Sequence, residues 1–132
     1  MYLTENFEPR RVLERFEDIC AIPHGSGHEQ ALGDWVMALA EKRGHEAIRD
    51  AAGNILEPVH LVLEDSILRA DRTTLGADNA VGLCHMLALM DADDLRHPPM
   101  ELLFTVCEEE GLQGIQAFDL SQLRARRMIN MD

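Results

Sequence analysis

The sequence predicts an α/β fold, a mixed sheet flanked by helices, and two observations lead to it. Amphipathic helical patterns alternate with short apolar runs typical of strands, as in layered α/β domains. Carboxylates follow several of these apolar runs, and ligands in such sheets collect beyond the carboxyl ends of the strands. The chain has 132 residues, 46% of them hydrophobic, which is enough for one domain with a modest core.

Two long helices are predicted in the first third of the chain. An amphipathic pattern covers 8–22, and a second one covers 27–43. Ser26 and Glu29 fit a capping box at the start of the second helix, and Gly44 suits the turn that ends it.

Strands are predicted in the middle and near the end of the chain. Residues 46–50 are predicted to form a short strand, and the alternation over 59–70 predicts a hairpin. The run 100–106 is nearly all apolar, which is typical of a strand buried on both faces. A weak helix over 112–123 precedes a second buried strand over 127–131.

The composition indicates which partners the protein can bind and where in the cell it is located. The chain carries 24 acidic and 12 basic residues, and a formal charge of −12 argues against nucleic acid because phosphates would be repelled. Neither an apolar run of about 18 residues nor a signal peptide is present, so we expect no membrane contact and a cytoplasmic protein. The three cysteines are predicted to be reduced core residues: Cys20, Cys84 and Cys107.

Two acidic segments carry the candidate chemistry. Asp78 opens a helix predicted over 78–90, where the helix dipole favours a carboxylate. The triplet 108–110 is Glu-Glu-Glu and directly follows the apolar run, while Asp132 follows the last predicted strand. Like charges this close repel one another unless a cation compensates. The pattern therefore predicts a shared metal site whose oxygen ligands suit zinc, manganese or magnesium equally.

Simpler interpretations exist for each of these residues. Asp78 alone fits a plain N-cap, and the glutamates alone fit a solvated turn. None of the six histidines forms a His-x-Asp pair, and each is predicted to be a surface or structural residue: His24, His28, His45, His60, His85 and His97.

Five strings along the chain match one protein family. They are 19–24, 49–56, 73–79, Glu108-Glu109 with Gly111, and 129–132. In these strings the chain resembles the aminoacyl-histidine dipeptidases, a branch of the co-catalytic zinc aminopeptidase-like family. The resemblance covers essentially the whole chain, and Thr-Thr-Leu-Gly-Ala-Asp-Asn at 73–79 is specific to that branch.

The resemblance implies hydrolysis of small dipeptides with a C-terminal histidine, with two zinc ions as cofactors. Asp78 corresponds to the carboxylate that bridges the two ions, while Glu109 binds one ion and Asp132 binds the other. Glu108 corresponds to the general base that takes a proton from the attacking water.

The chain also departs from that family in two places. Between Leu56 and Glu57 the family carries an additional buried strand that ends in His-x-Asp and supplies a metal-binding histidine. The chain ends at Asp132, before the family's lid domain and a late metal-binding histidine. We therefore expect 1–132 to be a partial metallopeptidase catalytic domain with an internal deletion, weakly active or inactive. Its carboxylates should favour magnesium, calcium or manganese over zinc.

Two other classes of function stay open. One is a non-catalytic acidic module that binds a cation or a partner protein. The other is a magnesium-dependent phosphate hydrolase, although no glycine loop for a phosphate is present. A homodimer is compatible with the sequence, which does not set the oligomeric state.

Overall fold

A computed structural model describes residues 1–24, 28–47, 59–72, 74–106, 108 and 111–131. Its elements, in chain order, are α1 Arg10–Cys20, α2 Gln30–Lys42, β1 Leu61–Glu64, β2 Ile67–Ala70, α3 Ala77–Met90 and α4 Gln113–Ala117. A short 3-10 helix at Leu120–Gln122 follows α4. Helices and a small sheet are both present, which agrees with the predicted α/β class.

The core lies between the three long helices. Its most deeply buried side chains are Ile19 and Cys20 from α1 and Cys84 and Leu87 from α3, all at most 1% exposed. Leu32 of α2 joins the same cluster. Burying an aliphatic side chain such as Ile19 or Leu87 contributes about 1.5–3 kcal/mol to the stability of the helical part.

Two of the three cysteines are core residues, as predicted. Cys20 and Cys84 are free thiols in the buried cluster. Burial raises the pKa of Cys20 to about 11 and that of Cys84 to about 12, because the thiolate form would lose its hydration. Cys107 lies outside the described residues.

The end of α2 is a Schellman motif, and it confirms the predicted role of Gly44. This glycine has φ 76°, a left-handed backbone conformation that residues with a side chain rarely adopt. Gly44 donates its N–H to the Glu41 carbonyl at 3.0 Å, and the next amide donates to the Ala40 carbonyl at 3.0 Å. Ser26, one half of the predicted capping box, lies outside the described residues.

The predicted hairpin is confirmed. β1 and β2 pair antiparallel, with Leu61 opposite Ala70 and Glu64 opposite Ile67, around a two-residue turn. Asp65 begins this turn at φ 54°, which a short aspartate side chain tolerates. The strand predicted over 46–50 lies partly outside the described residues.

The two apolar segments near the end of the chain are not strands. Residues 100–106 and 127–131 have no strand assignment, and the only sheet among the described residues is the two-stranded hairpin. Met128 is 89% exposed and Ile129 is 85% exposed. The prediction of buried strands here is wrong, because a strand is buried only when neighbours cover it and neither segment has a paired neighbour in the described part of the chain.

One side chain nevertheless ties the first of these segments to the residues just before the second. The Glu101 carboxylate accepts the backbone N–H of Arg124 at 2.9 Å and that of Ala125 at 2.8 Å. The helix predicted over 112–123 forms only in part, as α4 and the 3-10 helix. The Asp119 side chain accepts the Ser121 N–H at 3.0 Å and caps that 3-10 helix.

A buried aspartate directly after α3 connects the three long helices. The Asp91 side chain is only 6% exposed, and it lies 2.7 Å from Arg15 of α1 and 2.7 Å from Arg43, which follows α2. The angle between Arg43 Nε and Asp91 Oδ1 does not suit a hydrogen bond, so this contact is an ion pair only. Both arginines also contact outer aspartates, Asp18 and Asp93.

Candidate metal centre

Asp78 lies at the start of α3, where the backbone has not yet become helical. Gly76 precedes it in a left-handed conformation with φ 68°, and Asp78 itself is extended, with φ −94° and ψ 109°. The Asp78–Asn79 peptide bond is cis. The side chain of Asp78 is exposed. Its predicted position at the N-terminus of this helix is confirmed.

The side chain that caps α3 is that of Asn79. Its Oδ1 accepts the backbone N–H of Gly82 at 2.8 Å, the bond that an N-cap residue makes three positions along. The simpler interpretation of Asp78 as a plain N-cap is therefore wrong, because its neighbour already has that role. None of the described residues donates a hydrogen bond to the Asp78 carboxylate, so this side chain is not bonded to the amides at the start of α3.

The sequence held a signal for this capping arrangement. Asparagine and aspartate are about equally good N-caps, so the pair Asp78-Asn79 offered two candidates rather than one. The glycine three positions after Asn79 leaves room for the capping side chain to fold over the first turn.

Gly82 also brings a distant segment to the start of α3. A Cβ placed on Gly82 would stand 2.5 Å from the carbonyl oxygen of Met131 and 2.7 Å from Asn79 Nδ2, which is too close for a real side chain. The main chain of Met131 therefore lies against the first turn of α3. Met131 is the residue directly before Asp132 in the sequence.

Glu108 lies in a tight turn after the apolar segment 100–106. Its carbonyl oxygen accepts the N–H of Gly111 at 3.1 Å and that of Leu112 at 2.9 Å. Both of these residues have positive φ, 95° and 60°, which closes the turn into α4. Gly114 donates its N–H to Val106 at 3.1 Å. The turn thus holds exposed Glu108 directly beyond the apolar segment, where the sequence places it.

Glu109 and Asp132, the other two predicted site residues, lie outside the described residues. The convergence of all four carboxylates therefore stays a prediction. In the part of the chain that the structure describes, no three His, Cys, Asp or Glu side chains are grouped closely enough to hold a metal ion.

Several histidines contact main-chain carbonyl groups. Nδ1 of His24 is 2.6 Å from the Ile22 oxygen, and Nδ1 of His85 is 2.7 Å from the Val81 oxygen. A carbonyl oxygen only accepts, so each of these nitrogens carries the proton. Contacts of the same kind occur at His45 and His97. They agree with the prediction that these residues are structural.

Two cavities in the described part of the chain are lined by residues other than the predicted site residues. One, of about 160 Å³, is lined by the ion pairs around Asp91, and the other, of about 270 Å³, lies beside Trp35. The arginines that line the first cavity are already paired with aspartates, so the cavity does not offer a free positive charge to a ligand.

Comparisons with known proteins place the chain beside the dipeptidases in both sequence and fold. Its fold matches the crystal structure of an aminoacylhistidine dipeptidase from Vibrio alginolyticus with a TM-score of 0.82, at 24% identity. That match covers 91% of this chain and 32% of the solved one. It confirms the predicted α/β class of the fold.

The sequence comparison points the same way. The chain is 28% identical over 161 residues to the cytosol non-specific dipeptidase of Escherichia coli (strain K12), covering 94% of this chain and 33% of that protein. It is 36% identical over 77 residues to an uncharacterized protein of Bacillus subtilis (strain 168), covering 55% of this chain and 20% of that protein. A comparison with protein families finds no match.

The chain thus spans about a third of the length of both dipeptidases that it resembles. Among the described residues, no helix is both long and apolar enough to cross a membrane.

Proposed function

We propose that this chain is a partial catalytic domain of a metal-dependent dipeptidase. The observation that carries the proposal is the 28% identity to a dipeptidase over 94% of the chain. Since that dipeptidase is three times as long as the matched part, the similarity supports the class of reaction and not the activity of this chain by itself.

The proposed cation ligands are Asp78, Glu109 and Asp132. Carboxylate oxygens suit zinc, manganese, magnesium and calcium, so the donor chemistry fits a divalent cation. Two features of the described residues support the assignment. The Asp78 carboxylate is not used to cap its helix, since Asn79 makes that bond. The residue before Asp132 lies against the same helix start.

In the proposed mechanism Glu108 is the general base. When bound, the cations would lower the pKa of the attacking water and polarise the peptide carbonyl. Glu108 would take a proton from that water and pass it to the leaving amine, which requires a carboxylate that no cation ties down. The turn at 108–112 supports this role because it presents Glu108 directly beyond the apolar segment.

We further propose that the chain as it stands is weakly active or inactive. The family that it resembles uses a histidine from a strand that would fall between Leu56 and Glu57, and a second one from a later part of the chain. The length of the alignment supports the deletion, because it extends over 161 residues although this chain has only 132. Because 94% of this chain is about 124 residues, about 37 of the aligned positions have no counterpart here.

The proposed substrates are dipeptides with a C-terminal histidine. This finer choice rests on the string Thr-Thr-Leu-Gly-Ala-Asp-Asn at 73–79. The names of the two similar dipeptidases differ on this point, since one is an aminoacylhistidine dipeptidase and the other is non-specific. A cytoplasmic location is also proposed, supported by the cytosol dipeptidase among the relatives.

A hydrolysis assay tests the reaction. The chain should not cleave glycyl-histidine or β-alanyl-histidine measurably, whereas a version with the missing strand and the later part of the relatives restored should cleave them. In that restored protein Glu108→Gln should lower kcat by several orders of magnitude, and Glu110→Gln, a neighbouring glutamate with no proposed role, should not. A restored protein that stays inactive would contradict the proposal and favour the non-catalytic acidic module.

A calorimetric titration tests the metal. Manganese or magnesium should bind this chain more tightly than zinc, and Asp78→Ala should remove the binding, whereas Asp93→Ala, at a side chain 95% exposed, should not. Tight zinc binding that is lost in His24→Ala, His60→Ala or His85→Ala would show that a histidine replaces the missing ligand.

A further inference from the structure

Gly82 has no side chain, and two other parts of the chain occupy the space that a Cβ would take on the first turn of α3. The Asn79 side chain enters from the N-terminal side, with its Oδ1 on the Gly82 amide at 2.8 Å. The Met131 carbonyl enters from the far end of the chain, 2.5 Å from where a Gly82 Cβ would stand. We call this arrangement of Asn79, Gly82 and Met131 the Gly82 notch.

The two groups that fill the Gly82 notch are sequence neighbours of two proposed ligands. Asn79 directly follows Asp78, and Met131 directly precedes Asp132. These segments are some 50 positions apart in the sequence, yet both meet at one glycine. Since adjacent Cα atoms are at most about 3.8 Å apart, fixing one residue restricts where its neighbour can be.

We propose that Gly82 and Asn79 are positioning residues, which hold the backbone beside Asp78 and the backbone beside Asp132 together at the start of α3. The part of this inference that concerns a cation rests on the proposed function. Neither residue touches the cation in this scheme, and each acts through the segments that it holds in place.

Steric requirements distinguish this role from ordinary helix packing. Alanine is a better helix former than glycine, so Gly82→Ala would stabilise α3 if the notch were unimportant. In the notch the new Cβ must displace either the Asn79 side chain or the Met131 carbonyl, because both lie closer than a methyl group allows.

Nuclear magnetic resonance without any metal tests the notch itself. In the wild-type chain, cross-relaxation should connect the α protons of Gly82 with the main chain of Met131, and in Gly82→Ala this contact should be lost. Gly114→Ala is the matched control, because its Cβ would stand 2.7 Å from the Val106 nitrogen, and it should keep the contact between residues 82 and 131. A contact between residues 82 and 131 that survives in Gly82→Ala would overturn the inference.

A second pair of variants keeps the test decisive if Gly82→Ala fails to fold. Asn79→Ala should raise exchange of the Gly82 amide about tenfold, whereas Asn79→Ser, which can still cap, should stay within about threefold of wild type. Equal exchange in these two variants would contradict a positioning role for Asn79.

Manganese titration then separates the two proposals. Asn79→Ala and Gly82→Ala should bind manganese about tenfold more weakly than wild type, with Asn79→Ser near wild type and Asp78→Ala showing no saturable binding. If Asp78→Ala loses manganese binding while Asn79→Ala and Gly82→Ala keep wild-type affinity, the positioning role is wrong and the proposed function stands. Wild-type affinity in Asp78→Ala, or no binding by the wild-type chain, would contradict the proposed function, and the cross-relaxation and exchange data would then decide the notch by themselves.

Discussion

The helical core and the C-terminal third of the chain differ sharply in burial, although both are rich in apolar residues. Ile19 and Leu87 in the core are fully buried. From residue 93 onwards, none of the described residues is buried, and Leu120, Met128 and Ile129 are at least 62% exposed.

The difference follows from how helices and strands satisfy their backbone groups. A helix makes its own backbone hydrogen bonds, so three helices can close a core as soon as their apolar faces meet. A strand makes its bonds to a neighbour and is covered by elements on its faces. The segments 100–106 and 127–131 have the composition of strands, but no described strand pairs with them.

The largest expected effect compares one apolar side chain from each region. Leu87→Ala should lower the free energy of unfolding by about 2–5 kcal/mol, because it leaves a cavity in the core. Ile129→Ala, at 85% exposure, should change it by less than about 0.5 kcal/mol. Urea denaturation followed by circular dichroism measures both, and similar losses would show that the C-terminal segment has a core of its own.

The next effect concerns charges that hold the helical region together. Asp91→Ala should cost about 2 kcal/mol, because it leaves Arg15 and Arg43 without their shared buried partner. Asp93→Ala is the matched control, since its side chain is 95% exposed and 3.5 Å from Arg43, and surface pairs contribute little. If both variants unfold at the same urea concentration, Asp91 does not link the helices.

A pH effect should come from the two buried thiols of the core. The pKa of Cys20 is about 11 and that of Cys84 about 12 in the folded chain, raised by burial from an ordinary value near 9. Above pH 9 the unfolded thiols ionise and the folded ones do not, so stability falls as pH rises toward the folded pKa. Between pH 8 and pH 10 each thiol should account for a loss of about 1 kcal/mol.

The cysteine variants provide the control for this pH effect. Denaturation of Cys20→Ala and Cys84→Ala at both pH values should show a smaller pH dependence than the wild-type chain. An unchanged dependence in both variants would mean that other groups cause it.

The smallest effect belongs to the C-terminal third. Glu101→Gln should weaken the charge-assisted bonds to Arg124 and Ala125, but both segments are exposed, so global stability should change by less than about 1 kcal/mol. Faster hydrogen exchange at 124–125, with unchanged exchange in α1 and α3, is the expected result. Faster exchange in α1 or α3 as well would show that the Glu101 contacts also stabilise the helices.

The sequence predicted well those elements whose signals are local. Helical periodicity located α1, α2 and α3, the glycine at 44 marked the end of α2, and alternation located the hairpin. Burial of 100–106 and 127–131 could not be predicted in the same way, because it depends on which other segments cover them.

The candidate site was predictable to a similar degree. Residue type and position placed Asp78 at a helix start, which is confirmed, and Glu108 at the end of a buried strand, which is wrong because 100–106 forms no strand. The choice of Asn79 as the cap depended on a side chain folding over Gly82, a contact that spacing alone did not distinguish from capping by Asp78. The contact between Gly82 and Met131 joins distant parts of the chain, and no local sequence pattern predicts it.

The Glu101 contacts also affect how the chain can complete its fold. By holding Arg124, 23 residues away, Glu101 closes a loop whose closure entropy costs about 3 kcal/mol, plus a constant. Once that loop is closed, the residues just before Glu101 and those just after Arg124 are close to each other in space. A segment that covers 100–106 therefore meets the backbone at 124–125 already held beside Glu101, and it does not have to bear the entropy of bringing the two together.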